Sequence, residues 1–388
     1  MLNRRSSLVV AAGLLTLCAS PPAHAELDHR LSLLAAGDIW LRPERGGHGI
    51  FLVAYDLKGL LPRQAALSAG FNTDTFRLGV GGLRLWNGRL ELAARAGYEI
   101  QLAGLLFEYF RDGVNDPSRG FSASYLELAA SAKLRLAAHH SLELTLGARR
   151  WFFAPREATN PTLILPAEAW ALEPRLRYTW WRLEGDRAWG ERHRFFPRLR
   201  GVAFSVVLGL DWRSATRPWG ARSGGVAGVP DLRNDPGPAS FTGQQTLIAG
   251  TQLHPRLRTQ IRELAFFGAG LDDLNRLRVG GLNPYVLQVA GAPWASYLAE
   301  RALAARWSWH VRLIDDLEVG ALADLAWVDD LRRTGTSKGD VIVGAGIFLD
   351  MRWRDFQLDI QGGVAPQLAA SRPATQLGVF AALGWQWD

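Results

Sequence analysis

The chain has 388 residues, 44 basic against 37 acidic for a net charge of +7, one cysteine, and 48% hydrophobic residues at a mean hydropathy near zero. Those figures exclude a disulfide scaffold and a disordered polyampholyte. The 41 glycines and 16 tryptophans depart from an ordinary cytosolic enzyme, and the arginines are scattered at every-second-residue spacing among apolar residues instead of forming a basic stripe, so no nucleic acid partner is expected.

The amino end reads as an export signal over 1–25. Arg4 and Arg5 precede the apolar stretch from Leu8 to Leu17, and Ala23-His24-Ala25 supplies small residues for cleavage. Cys18 follows Leu17, where a lipoprotein signal needs a small residue, so it is expected to be discarded with the signal. A short periplasmic segment is expected over 26–47 and a barrel domain over 48–388. No later run approaches the roughly 18 apolar residues of a membrane helix.

Strict two-residue alternation then dominates. Leu90, Leu92, Ala94, Ala96, Tyr98 and Ile100 alternate with a more polar set, and Leu126, Leu128, Ala130, Ala132, Leu134 and Leu136 alternate with Glu127, Lys133 and Arg135. In chain order the pattern predicts strands near 49–57, 62–71, 75–86, 89–100, 101–110, 121–136, 141–153, 169–181, 199–213, 243–253, 257–270, 297–312, 317–328, 339–351, 355–366 and 375–387. Most are far longer than the five or six residues typical of globular strands and suit a tilted bilayer crossing. Sixteen is an even count, as closed bacterial outer-membrane barrels have. No turn residue marks the break near 101, so fourteen also fits.

Trp170 and Trp180 share a face ten residues apart. At about 3.3 Å per residue and a tilt near 40–45°, that separation spans roughly 23–25 Å, the height of the apolar band between aromatic girdles. Turning Lys133 or Arg135 to lipid would cost up to about 2–4 kcal/mol each at mid-depth, so the charged face lines the lumen. Arg301 falls on the apolar face and requires a rim position, where the cost drops to about 0–1 kcal/mol. Short connections at 254–256, 313–316 and 352–354 alternate with longer ones at 214–242, 271–296, 329–338 and 367–374, as periplasmic turns alternate with external loops. The connection 182–198 is long for a periplasmic turn. The fold class is thus all-β: a transmembrane antiparallel barrel in the bacterial outer membrane.

The external loop 271–296 contains Arg278-Val279-Gly280-Gly281-Leu282-Asn283-Pro284-Tyr285 and is followed by five strands. Here the chain resembles the BamA/TamA superfamily of outer-membrane assembly barrels. In that family the sixth external loop folds into the lumen, carrying a Gly-Gly-x-Asn stretch that leads to a Val-Arg-Gly-Tyr/Phe tip. The resemblance implies that Gly280, Gly281, Asn283 and Tyr285 form the lumen loop motif, and that Asp324 in 319–326 is the carboxylate partner of a tip arginine. It also implies that Trp385 and Trp387 belong to a C-terminal recognition strand, with Asp388 after it a departure. Counting from Gly280-Gly281, Val286 stands where the tip arginine belongs, so Arg276 or Arg278 is expected to serve Asp324. Periplasmic repeat domains of the family do not fit into 26–47.

The resemblance implies insertion or export of proteins or lipids, through a weak seam between first and last strands and a lumen plugged by the loop. The alternative is a passive pore or surface protein whose arginine-rich lumen favours anions; a soluble secreted β-protein is more remote. The expected partners are outer-membrane lipid and lipopolysaccharide, client proteins or a separate periplasmic accessory protein, and the barrel is expected to be monomeric. His139 and His140 sit in a turn and the other histidines lack ligand spacing, so no metal is expected. Asp272-Asp273 and Asp329-Asp330 read as solvated loop carboxylates in preference to cation sites. No Gly-x-Ser-x-Gly elbow or phosphate loop stands out, so neither enzyme activity nor a cofactor is expected.

Overall fold

The computed structural model describes residues 28–40, 47–58, 65–72, 75–99, 110–111, 114–115, 117–185, 199–220, 236–280, 289–292, 297–329, 339–353, 356–365 and 376–387. Sixteen strands close into a single antiparallel barrel. They are β1 (Asp28–Trp40), β2 (Gly47–Lys58), β3 (Ala66–Asn72), β4 (Thr75–Leu85), β5 (Leu90–Glu99), β6 (Ser122–Ala137), β7 (His140–Ala154) and β8 (Trp170–Gly185), followed by β9 (Leu199–Arg213), β10 (Ala239–His254), β11 (Leu257–Ala269), β12 (Arg301–Ile314), β13 (Leu317–Asp329), β14 (Asp340–Trp353), β15 (Phe356–Ala365) and β16 (Gln376–Trp387). Each pairs with its neighbours in sequence, and β1 closes the ring on β16, from Leu31 opposite Trp387 to Trp40 opposite Gly378. Closure leaves no unpaired edge. Two short ribbons lie outside this sheet, Phe110–Arg111 with Val114–Asn115 and Leu277–Val279 with Tyr297–Ala299.

Alternation sets the two faces. On β6, Leu126 and Leu128 are 40% and 50% exposed on the outer face, while Glu127 between them is 4% exposed and faces inward. Lys133 stands opposite Glu91 on one side and Glu143 on the other, so its charge is matched across both ladders. Trp170 and Trp180 share the outward face of β8 with Leu172 and Leu176. Arg301 is the first residue of β12 and exposed, which is the rim position its charge requires.

Two expectations need correction. The segment 26–47 is not a free periplasmic lead-in, because 28–40 is the first barrel strand. Leu34 and Ala36 break the polar half of its alternation in the sequence, which hides it. Conversely, no strand from 101–110 lies between β5 and the next barrel strand: β5 pairs directly with β6, from Leu90 opposite Leu134 to Glu99 opposite Tyr125. A chain cannot reverse at 100 without turn residues, and none stands there. The two errors offset, so the count of sixteen holds. The seam between first and last strands is continuous main-chain pairing. The export signal over 1–25 and the long connection 186–198 lie outside the described residues.

Candidate functional site

The connection between β11 and β12 returns to the inner wall. Its residues Val279, Val289, Ala292 and Ala299 are buried in one apolar cluster with lumen-facing wall residues, among them Phe266 on β11, Ala304 on β12, Val328 on β13 and Ile342 on β14. At this height the inward positions are apolar, so this patch of wall is built to be covered rather than wetted.

At the centre of the contact is Asp324. It is 3% exposed, and its Oδ1 accepts from Arg306 Nε at 2.7 Å while Oδ2 accepts from Arg306 Nη2 at 2.8 Å. Oδ2 also accepts from the backbone N–H of Ala290 at 2.7 Å. Arg306 and Asp324 are direct cross-strand partners on β12 and β13. A planar guanidinium meeting both oxygens of a carboxylate is the strong form of the ion pair. The loop adds a main-chain donor to a carboxylate that the wall has already oriented.

Glycine makes room for that approach. Gly344 stands opposite Asp324 on β14, and a Cβ there would collide with the Ala290 carbonyl oxygen. A Cβ on Gly363 of β15 would come within 2.8 Å of the Ala290 Cβ. Gly291 itself has φ +77° and sits against the backbone of Val364 and Ala365, where a side chain would be both strained and obstructed.

The external end is tied down separately. Asp272 is 1% exposed and accepts from Arg213 at 2.7 and 3.1 Å and from Trp219 Nε1 at 3.1 Å. Trp219 packs edge-on to Phe121 at 5.7 Å, and Ile164 bridges Gly220, so the connections before β6, after β7 and after β9 meet the start of this loop. Asp272 is therefore a structural anchor and not a solvated loop carboxylate. Arg276 bridges Asp273 at 2.8 Å and Glu300 at 2.9 Å, across the two ends of the same connection. Burial works against that cation, but the two carboxylates beside it hold its pKa above the usual arginine value.

Asp324 stands on the lumen face, and its cation is one that the sequence reading did not name. The structure pairs it with Arg306, and Arg276 is engaged elsewhere; Arg278 lies in the short ribbon, opposite Leu298. The described loop residue that meets Asp324 is Ala290, through its backbone N–H; Val286 lies outside the described residues. Gly280 adopts φ +105° at the end of the ribbon strand. Gly281, Asn283 and Tyr285 lie outside the described residues. Trp385 stacks on Phe356 at 6.2 Å between β16 and β15, and the Trp387 backbone pairs with Leu31. Arg306 carried one usable signal, its place on the lumen face of a strand. Among the described residues no cluster of three metal-ligating side chains occurs.

No protein-family description and no curated protein sequence matches this chain. In shape it is similar to BamA of Haemophilus ducreyi lacking POTRA domains 1–3, at 11% identity and a TM-score of 0.64, over 99% of this chain and 79% of that one. It is also similar to CdiB of Acinetobacter baumannii, at 10% identity and 0.57, and to CdiB of Escherichia coli, at 15% and 0.56; both alignments cover 94% of this chain but only 61% and 64% of the CdiB chains. At such identities the likeness is one of fold. The chain folds as a closed sixteen-stranded antiparallel β-barrel similar in shape to those of BamA and CdiB.

Proposed function

We propose that the protein works in the bacterial outer membrane as an assembly or translocation barrel, aiding insertion or export of proteins or lipids, with the β11–β12 connection closing its lumen. The observation that carries this reading is the seating of Val289–Ala292 over Gly344 and Gly363, locked by Asp324 and Arg306. An apolar patch of inner wall packed under a pinned loop supports a lumen closed by that loop. Five strands follow the loop, as the resembled family has them. The reading involves no catalytic step and no cofactor. The closed ring fits a monomer surrounded by lipid and lipopolysaccharide, with client proteins and a separate periplasmic protein as its partners.

Depletion followed by quantitative proteomics of the outer membrane and the external medium tests it. The expected outcome is loss of a defined set of other proteins, with their precursors accumulating in the periplasm. An unchanged inventory would reject assembly and leave the pore or surface-protein reading.

A further inference from the structure

Opposite the loop, on the arc from β5 to β8, the lumen wall carries a row of charge. Arg95 Nε meets Glu127 Oε1 at 2.7 Å, and Arg149 spans Glu127 Oε2 at 3.2 Å and Glu173 Oε1 at 2.9 Å. Arg175 Nη2 then meets Glu173 Oε2 at 3.1 Å. Glu127 and Glu173 are thus engaged through both oxygens, and both are buried. The guanidinium groups are not used up in the same way. The Arg95 and Arg175 side chains are 53% and 55% exposed, and each meets these carboxylates through a single nitrogen. Each guanidinium has five N–H donors. Arg177 makes no ion pair with a described residue, although Glu143 lies opposite it in register.

Between these side chains is a cavity of about 280 Å³. Its floor is Gly147 and Ala129, which face each other across β6 and β7 and leave the space unfilled. A Cβ on Gly147 would meet only ordinary contacts, 3.4 Å from the Glu173 carbonyl oxygen. The glycine is therefore not demanded by backbone packing, and what it provides is room. At roughly 30 Å³ per water the space holds about nine waters, which suits one compact solute group and not a polypeptide.

We infer that this chamber binds the oxyanion group, phosphate or carboxylate, of a small solute inside the barrel, with Arg177 and Arg175 as its principal donors and Arg95 at its far side. Glu127 and Glu173 fix Arg149 between them, while Arg175 and Arg177 line the open volume with donors to spare, beside Glu143. Guanidinium forks match planar or tetrahedral oxyanions, and arginine-lined constrictions select anions. This site stands apart from the loop clamp and does not depend on the assembly role.

The test is calorimetric titration of the purified barrel in detergent with inorganic phosphate and, separately, acetate, at constant ionic strength set with chloride. Saturable binding of at least one probe is expected. Arg177→Gln should weaken it about tenfold or more, and Gly147→Leu should abolish it with every charge retained. Arg135→Gln, which removes a lumen-facing arginine outside the chamber, should leave it unchanged. Heat-dependent gel mobility reports whether each variant is folded; should Gly147→Leu fail that check, Arg177→Gln decides alone. No saturable binding of either probe by the wild type, unaltered binding by Arg177→Gln, or an equal loss in Arg135→Gln would overturn the inference.

Discussion

Asp324 and Arg306 form a buried pair whose geometry is set by two adjacent strands, and the Ala290 N–H adds a third partner. Removing one member leaves the other charged and dry, which costs about 3–5 kcal/mol in buried pairs. Asp324→Ala should therefore lower the heat-unfolding midpoint of the folded barrel, read by gel mobility, more than Arg276→Ala, because it leaves Arg306 facing the like charge of its cross-strand neighbour Arg262. The double variant Asp324→Ala with Arg306→Ala should fall little further than Asp324→Ala alone, because the two side chains act as one unit. Additive losses would show that the pair is not coupled. Gly344→Val makes a different demand, since its Cβ collides with the Ala290 carbonyl oxygen while the ion pair stays intact. It should release the loop segment, seen as new protease cleavage between 271 and 300 with the strands still protected; an unchanged cleavage pattern would place the loop elsewhere.

At the level of elements, the outer face of each strand must satisfy hydrocarbon and the inner face must satisfy charge. Leu128→Arg, midway along the outer face of β6, should destabilise the barrel by about 2–4 kcal/mol, while Arg301→Leu at the rim should change stability by no more than about 1 kcal/mol. Denaturant unfolding from liposomes measures both, and equal effects would invalidate the assignment of faces. The alternation behind this assignment was legible in β6 because Glu127, Lys133 and Arg135 interrupt an otherwise apolar run. It was not legible in β1, where Leu34 and Ala36 occupy positions that alternation reserves for polar residues. Register was hidden as well. The turn between β12 and β13 pairs Ile314 with Leu317, and continuing that register would set Arg306 opposite Leu325; a bulge between Arg312 and Ile314 moves it opposite Asp324. The loop contact had no sequence signature, since its ligand is the backbone N–H of an alanine.

On the scale of the whole molecule, the described structure has two different halves. At the external ends of β11 to β15 the inner wall carries an apolar patch that packs against the loop, above buried charges such as Arg258 and Glu318, whereas the arc from β5 to β8 carries the charge ladder and an open chamber. Interlocked external connections join Phe121, Trp219 and Asp272 above the barrel mouth. Alternation foretold the barrel and, through two offsetting errors, its strand count, yet the loop patch and the charge ladder appear only once register brings distant residues to one height.

Single-channel recording in planar bilayers tests the closed lumen most directly. The wild-type barrel should show small, flickering conductance, and Asp324→Ala should raise it and make it steadier as the loop leaves the wall. A large, constant wild-type conductance that Asp324→Ala leaves unchanged would contradict the account.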